Sequence, residues 1–244
     1  MDRSETAEGG GSVAGNIGRT PDGKKVVSEA ATEEIRTLVH QMAFRVRTAV
    51  TQALHALEHA DAAQAEVIIT GDAAIDQMEE EIERRCVQLL TTDRRFDSAT
   101  QLQIRRVAAS FKIVTDLERI GDHAAGIARR VLRIGGAILP KPFVDIPRMA
   151  ALADEMLGRV ITAFDQADVG AARRAGVDDD SIDGLYDQIF RELLTYMLDD
   201  REAVREATHL LFVASAIERI ADHTTNLAEW VIYAETGHRV ELNR

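Results

Sequence analysis

The chain has 244 residues, 45% of them hydrophobic but only 5% aromatic, so its core must be built from aliphatic side chains, which favours packed helices and excludes a disordered chain. A formal net charge of −12 repels phosphate backbones and argues against nucleic acid as a partner. The single cysteine, Cys86, excludes an intrachain disulfide and a thiolate metal cluster, and no stretch approaches a membrane span or a signal-peptide core.

The chain begins with a polar, glycine-rich segment, residues 1–27, which we expect to be a disordered tail because it has too few apolar side chains to offset the entropy of ordering. Pro140, Pro142 and Pro147 then mark a linker, 138–147, between two long proline-free stretches. Three helices are predicted in each stretch: 30–60, 62–92 and 98–134 in the first, and 147–166, 168–197 and 200–236 in the second.

Two segments of the first half recur in the second. Leu117–His123 is repeated as Ile217–His223 at an offset of 100, and Ile75–Ile82 as Ile182–Ile189 at an offset of 107. Matched segments in the same order indicate a duplication. The third helix of each half also carries an apolar residue at every seventh position, which is typical of long helices packed at shallow angles. The predicted fold is therefore all-α, with two tandem, pseudo-symmetric three-helix bundles at 28–137 and 148–240.

The predicted helices carry pairs of acidic residues four positions apart, at corresponding places in the two halves. Like charges at this spacing destabilise a helix by roughly 0.2–0.5 kcal/mol per pair. If the second and third helices of a half are neighbours, four carboxylates meet on one surface, and hard cations prefer such oxygen ligands. The candidate metal ligands are Asp76, Glu80, Glu118, Asp122, Asp183, Asp187, Glu218 and Asp222.

Other interpretations of these residues remain open. The carboxylates can be a solvated face of a purely structural scaffold, and clustered cations could activate water in a metal-dependent phosphohydrolase. His123 and His223 follow the motif aspartates and could be ligands or form local hydrogen bonds. The densest arginines, among them Arg84, Arg94 and Arg105, are interleaved with acidic residues and indicate a solvated helix face. Because no nucleophile has an adjacent base, we predict neither a catalytic residue nor an enzyme.

The sequence around these pairs resembles the PhoU family. The resemblance rests on Asp116–Ala124 in the first half, and in the second on His209–Leu211, Ile217–His223 and Asn226–Glu229, and it extends over about residues 30–240. The family often has an Asn four residues after the motif aspartate, which Asn226 matches and Gly126 does not. The resemblance implies two three-helix bundles with multinuclear metal clusters, of Mg, Mn, Fe or Zn, on the acidic motifs.

The resemblance also implies a function. Members of the family act as adaptors between the ATPase of the phosphate ABC transporter and a membrane sensor kinase. They restrain phosphate uptake and hold the phosphate-starvation response off when phosphate is plentiful. For this chain the resemblance implies a negative regulator of phosphate transport, located in the cytoplasm at the inner face of the membrane, and a homodimer.

Overall fold

The computed structural model describes residues 29–91, 98–135 and 145–242. Within these ranges the chain is helical and contains no strand, which confirms the all-α prediction. The helices are α1 (Glu29–His59), α2 (Ala62–Leu90), α3 (Ser98–Ile134), α4 (Asp145–Gln166), α5 (Val169–Arg173), α6 (Ala175–Asp199) and α7 (Val204–Thr236).

Two predicted segments fall wholly or mostly outside the described ranges. The predicted tail, 1–27, lies outside them, as do residues 138–144 of the predicted linker. The last three residues of that linker belong to α4, which begins at Asp145. Pro147 therefore lies in the first turn of a helix, where the amide hydrogen that proline lacks has no intrahelical acceptor to lose.

The helices form two three-membered bundles that pack side by side. α1, α2 and α3 contact one another, as do α4, α6 and α7, and α3 and α7 form the most extensive helix–helix contact of the molecule. α1 also packs against α4. There, Arg47 donates from Nε and Nη2 to the two carboxylate oxygens of Asp154, at 3.0 and 2.8 Å. Because the contact between α3 and α7 is the most extensive one, each bundle packs against the other mainly through its third helix.

The predicted heptad positions form the core of both bundles. Isoleucines at every seventh position of α3 are at most 7% exposed, and the matching side chains of α7 are at most 6% exposed. Full burial of such a side chain contributes about 1.5–3 kcal/mol. The prediction that these positions are buried is confirmed for Ile113, Ile120, Ile127, Ile134, Val213, Ile220, Leu227 and Ala234.

The duplication also appears in the turn after the first helix of each half. Ala60 and Ala167 both have a left-handed backbone, with φ of 51° and 54°. The next residues, Asp61 and Asp168, each donate their amide to a carbonyl five residues back, at 2.9 Å. Each aspartate then caps the following helix through its side chain. The same turn thus sets the angle between the first two helices of both bundles.

The second helix of the second half differs from its prediction as one helix over 168–197. It is divided into α5 and α6 at Arg174, whose amide donates to the Ala171 carbonyl, three residues back, at 3.2 Å. The last helix begins at Val204 rather than at residue 200, because Asp200 has an extended backbone with φ −132° and ψ 107°. Both differences lie at helix ends and leave the bundle arrangement unchanged.

Candidate metal centre

The first candidate centre lies where α2 packs against α3. Glu118 on α3 is half-buried, and its pKa is raised by burial and then by the negative charge of Asp122, Asp76 and Asp72, although Arg119 opposes the rise. The pKa of Asp72 is raised by burial and by Asp122 and Asp76. Because like charges disfavour ionisation of their neighbours, these shifts show that four carboxylates from two helices share one region. We call this cluster of Asp72, Asp76, Glu118 and Asp122 the first acidic patch.

Gly121 allows α2 and α3 to pack closely at this patch. A Cβ added there would lie 3.0 Å from Cδ1 of Ile75 and 3.8 Å from the carboxylate of Asp72. A side chain at this position would therefore push α2 away from α3. The absence of a side chain at Gly121 keeps the carboxylates of the two helices within interaction distance.

The second candidate centre lies at the equivalent place between α6 and α7. The pKa of Glu218 is raised by burial and by Asp222, Asp183 and Asp187, against the lowering effect of Arg219. The pKa of Asp183 is raised by burial, by Asp222 and, among others, by Asp187. These four residues were the predicted quartet of the second half, and the structure brings them into one neighbourhood. Together with Asp179 they form what we call the second acidic patch.

Asp179 is the most buried carboxylate of either patch. It is 3% exposed, and its Oδ1 has no hydrogen-bond partner. Burial, with the charges of Asp183 and Asp222, raises its pKa to about 7, although the neighbouring Thr225 hydroxyl acts in the opposite direction. The Oγ1 of Thr225 is itself fully buried and has no partner in hydrogen-bonding geometry. Two buried oxygen atoms next to Asp183 and Asp222 thus lack a hydrogen bond, which destabilises the folded chain.

Asp72 and Asp179 were not among the predicted metal ligands. Both lie one helical turn before a predicted ligand, and they occupy equivalent positions at the repeat offset of 107. That offset was the signal that could have found them. Conversely, Glu80 is exposed, whereas its neighbour Glu79 is half-buried and has its pKa raised by burial and by Glu118. On α2 the patch therefore extends toward Asp72 and Glu79.

The chemistry of both patches fits a hard cation. All of their donors are carboxylate oxygens, and burial together with neighbouring negative charges raises the pKa of Glu118, Asp179 and Glu218, which a bound cation would oppose. As the side chains stand, no three His, Cys, Asp or Glu residues in the described ranges are already arranged to hold a metal ion. The predicted metal ligands therefore remain predictions.

The two histidines beside the motifs face each other across the α3–α7 contact. The ring centroids of His123 and His223 are 5.7 Å apart. Nδ1 of His223 lies 2.9 Å from Oδ1 of Asp116, and burial, followed by the charge of His223, lowers the pKa of His123. Of the two interpretations left open, a local hydrogen bond accounts for the position of His223.

Cys86 was predicted to be a small buried side chain, and the structure confirms this. It is fully buried in α2, and burial raises the pKa of its thiol to about 12. A thiol with so high a pKa is neither a nucleophile nor a metal ligand at neutral pH.

In the described ranges, no helix has both the length and the apolar character needed to cross a membrane.

These features define a class: an all-helical protein of two repeated bundles, each with an acidic patch between its second and third helices. The model of the PhoU domain matches residues 39–131 and 146–231, one match for each bundle. The chain belongs to the PhoU family, which confirms the resemblance seen in its sequence.

Named relatives and solved structures agree with this assignment. The chain is 35% identical over 217 residues to the phosphate-specific transport system accessory protein PhoU homologue of Clostridium acetobutylicum, covering 89% of this chain and 98% of that protein. The corresponding homologue of Aquifex aeolicus is 38% identical over 209 residues, or 86% and 93% of the two chains. The crystal structure of PhoU from Pseudomonas aeruginosa superposes with a TM-score of 0.81 at 32% identity, covering 86% of this chain and 99% of the other. The phosphate transport system regulatory protein PhoU from Streptococcus pneumoniae gives a TM-score of 0.80 at 30% identity, covering 87% and 99%.

Proposed function

We propose that this protein is a metal-binding, non-enzymatic adaptor that restrains phosphate uptake and keeps the phosphate-starvation response off when phosphate is plentiful. A role in phosphate transport is supported by relatives that are named as accessory or regulatory proteins of phosphate transport systems. The proposed partners are the sensor kinase of the phosphate response and the ATPase of the phosphate transporter. The proposed location is the cytoplasmic face of the inner membrane, where both partners are reached, and the proposed assembly is a homodimer.

The observation that carries the proposal is the pair of acidic patches at equivalent places in the two bundles. In each patch, burial and then the charges of neighbouring carboxylates raise the pKa of two carboxyl groups, Asp72 and Glu118 in the first and Asp183 and Glu218 in the second. If these carboxylates were only a solvated face, there would be no reason for unfavourable, partly buried clusters of like charge to occur at the same helix pair of both repeats. Cation binding relieves the cost, and this relief favours metal ions over the scaffold interpretation.

The residues proposed to hold cations are the carboxylates of the two acidic patches. In the second patch, the unpaired Oδ1 of Asp179 adds a donor at the buried edge, next to Asp183 and Asp222. A bound di- or trivalent cation supplies positive charge at a surface that is otherwise negative. The carboxylates anchor that charge to two helices. Several such cations in a patch would outweigh its carboxylates, so metal occupancy sets the charge of the surface offered to an acidic or phosphate-bearing partner.

The adaptor role is tested in cells that report transcription of the phosphate-starvation response. A chain carrying Glu118→Gln, Asp122→Asn, Glu218→Gln and Asp222→Asn replaces the wild-type chain at equal abundance. We expect the reporter to be on at high phosphate with this variant and off with wild type. Full repression by the variant would contradict a metal-dependent adaptor, and metal-dependent turnover of a phosphoester by the purified protein would favour the enzyme alternative.

A further inference from the structure

A basic cleft lies between the C-terminal half of α3 and the middle of α7. Its volume is about 380 Å³, and its lining holds four arginines against one carboxylate, that of Asp122. Arg129, Arg130 and Arg133 come from α3, and Arg219 comes from α7. This concentration of positive charge contrasts with the net charge of −12 of the whole chain. We call this region the arginine cleft.

The three arginines of α3 form no close ion pairs in the described part of the chain, although the charge of Arg129 acts on Asp72 to lower its pKa. None of them has a described carboxylate partner within ion-pair distance, whereas Arg85 pairs with Glu81 and Arg106 pairs with Glu235. In addition, burial and then the charges of Arg133 and Arg129 lower the pKa of Arg130. Cations held this close to one another raise the free energy of the folded chain unless an anion lies between them.

The positive charge that α3 contributes to the arginine cleft is not repeated at the equivalent positions of α7. At the repeat offset of 100, Arg129, Arg130 and Arg133 become Glu229, Trp230 and Tyr233. On that other side, Glu229 Oε1 accepts the amide of Leu242 at 2.8 Å, and the guanidinium of Arg239 lies 4.6 Å from the Trp230 ring centroid. One copy of the face is thus covered by the chain itself, while the other presents arginines without a described carboxylate within ion-pair distance.

One of these guanidinium groups is already held in place. The Cζ of Arg130 lies 4.2 Å from the ring centroid of Phe212, whose side chain is half exposed at the cleft. Stacking on an aromatic ring restricts the arginine side chain and leaves its N–H groups available at the edge of the plane. Binding of an anion by Arg130 therefore costs less side-chain entropy, because the arginine is already held against the ring.

We propose that the arginine cleft binds a small anion with at least two phosphoryl groups. Guanidinium groups recognise phosphate oxygens through paired N–H donors. Arg219 is already paired with Asp222 at 3.1 Å, and a single phosphate, with a charge of about −1.5 to −2, leaves about one of the three arginines of α3 uncompensated. A volume of about 380 Å³ lies within the range of ordinary ligand pockets and exceeds the needs of one phosphate. The cleft adjoins the first acidic patch through Asp122, but its proposed anion donors are arginines, and binding requires no metal.

Isothermal titration of the full chain in buffer freed of divalent metal tests the proposal, with pyrophosphate, tripolyphosphate and inorganic phosphate as probes. We expect both polyphosphates to bind at least about tenfold more tightly than inorganic phosphate. The Arg130→Gln/Arg133→Gln variant should raise the Kd for pyrophosphate at least about tenfold, because charge-assisted hydrogen bonds are lost. The Arg130→Lys/Arg133→Lys variant keeps the charge without the paired donors and should give an intermediate Kd.

Two control variants separate this site from general electrostatics and from the metal proposal. Arg173→Gln/Arg201→Gln removes the same charge from exposed positions outside the cleft and should change the Kd by less than about twofold. Asp183→Asn/Asp187→Asn alters the second acidic patch and should leave pyrophosphate binding intact, whatever its effect on metal. The proposal is overturned if neither polyphosphate binds wild type, or if the exposed control loses as much affinity as the cleft variant. It is equally overturned if the arginines bind phosphatidylglycerol vesicles but neither polyphosphate.

Discussion

Asp116 on α3 and His223 on α7 are joined by a hydrogen bond of 2.9 Å across the boundary between the two bundles. The side-chain amide of Asn226 donates to the same oxygen of Asp116 at 3.3 Å. At the repeat position of Asp116 the chain has Ala216, so the equivalent acceptor opposite His123 is missing. The contact between His223 and Asp116 is therefore an asymmetric feature of an interface that is otherwise duplicated, and it adds to the ion pair of Arg106 with Glu235 across the same two helices.

Replacement of Asp116 with alanine should destabilise the whole two-bundle structure. It removes the acceptor shared by His223 and Asn226 and leaves two partly buried donors unsatisfied, each at a cost of about 1–3 kcal/mol when buried. We expect the free energy of unfolding, measured by urea denaturation, to fall by about 1–3 kcal/mol. Glu58→Ala on the exposed face of α1 should stay within about 0.5 kcal/mol of wild type. Equal stabilities of the two variants would show that the contact contributes nothing.

The pKa of Asp179, raised to about 7, predicts a pH dependence of stability in the metal-free protein. An unfolded aspartate releases its proton at a pKa of about 3.9. Between these values the folded chain binds more protons than the unfolded one, so stability falls as the pH rises from about 4 to 7. We expect Asp179→Asn to be more stable than wild type at pH 7.5 by on the order of 1–3 kcal/mol, and similar to it at pH 4.

Urea denaturation at several pH values measures this difference. The slope of stability against pH should decrease in Asp179→Asn but persist in part, because burial and like charges also raise the pKa of Asp183 and Glu218. Glu66→Gln, at an exposed position of α2, should keep the wild-type slope. Equal slopes of stability against pH in wild type and Asp179→Asn would contradict the raised pKa of Asp179.

Two glycines within helices should respond to substitution in opposite directions. A Cβ at Gly184 of α6 would meet no atom within 4 Å, so Gly184→Ala should gain about 0.5–1 kcal/mol from helix propensity and from a less flexible unfolded chain. A Cβ at Gly121 would lie 3.0 Å from Ile75, and Gly121→Val should cost about 1–3 kcal/mol through overpacking. Thermal and urea unfolding measure both changes. Destabilisation by Gly184→Ala would show that this face of α6 is covered.

The helical architecture could be predicted because it depends on local and periodic signals. The clustered prolines and the heptad of α3, from Ile113 to Ile134, identify long helices and their buried stripe without knowledge of any neighbour. The internal repeat then extends the same inference to α7. The turns were less predictable, because Ala60 and Ala167 adopt the left-handed conformation that usually marks glycine.

The candidate site was predicted only in part because its membership depends on how neighbouring helices are aligned. The spacing within one helix places Glu118 and Asp122 on one face, but it does not say which turn of α2 lies opposite. The structure places Asp72 at the patch and leaves Glu80 exposed. The arginine cleft was missed for a similar reason, since Arg133 and Arg219 lie on different helices and become neighbours only through the α3–α7 contact.

Equilibrium dialysis against Mn²⁺, followed by elemental analysis, measures whether the two acidic patches hold cations. Wild type should retain metal at both patches, and Glu218→Gln/Asp222→Asn should retain only the share of the first patch, with unchanged helical circular dichroism. Glu58→Gln/Glu66→Gln, which removes the same charge from exposed positions, should match wild type. The same bound Mn²⁺ per chain in Glu218→Gln/Asp222→Asn as in wild type would contradict the account.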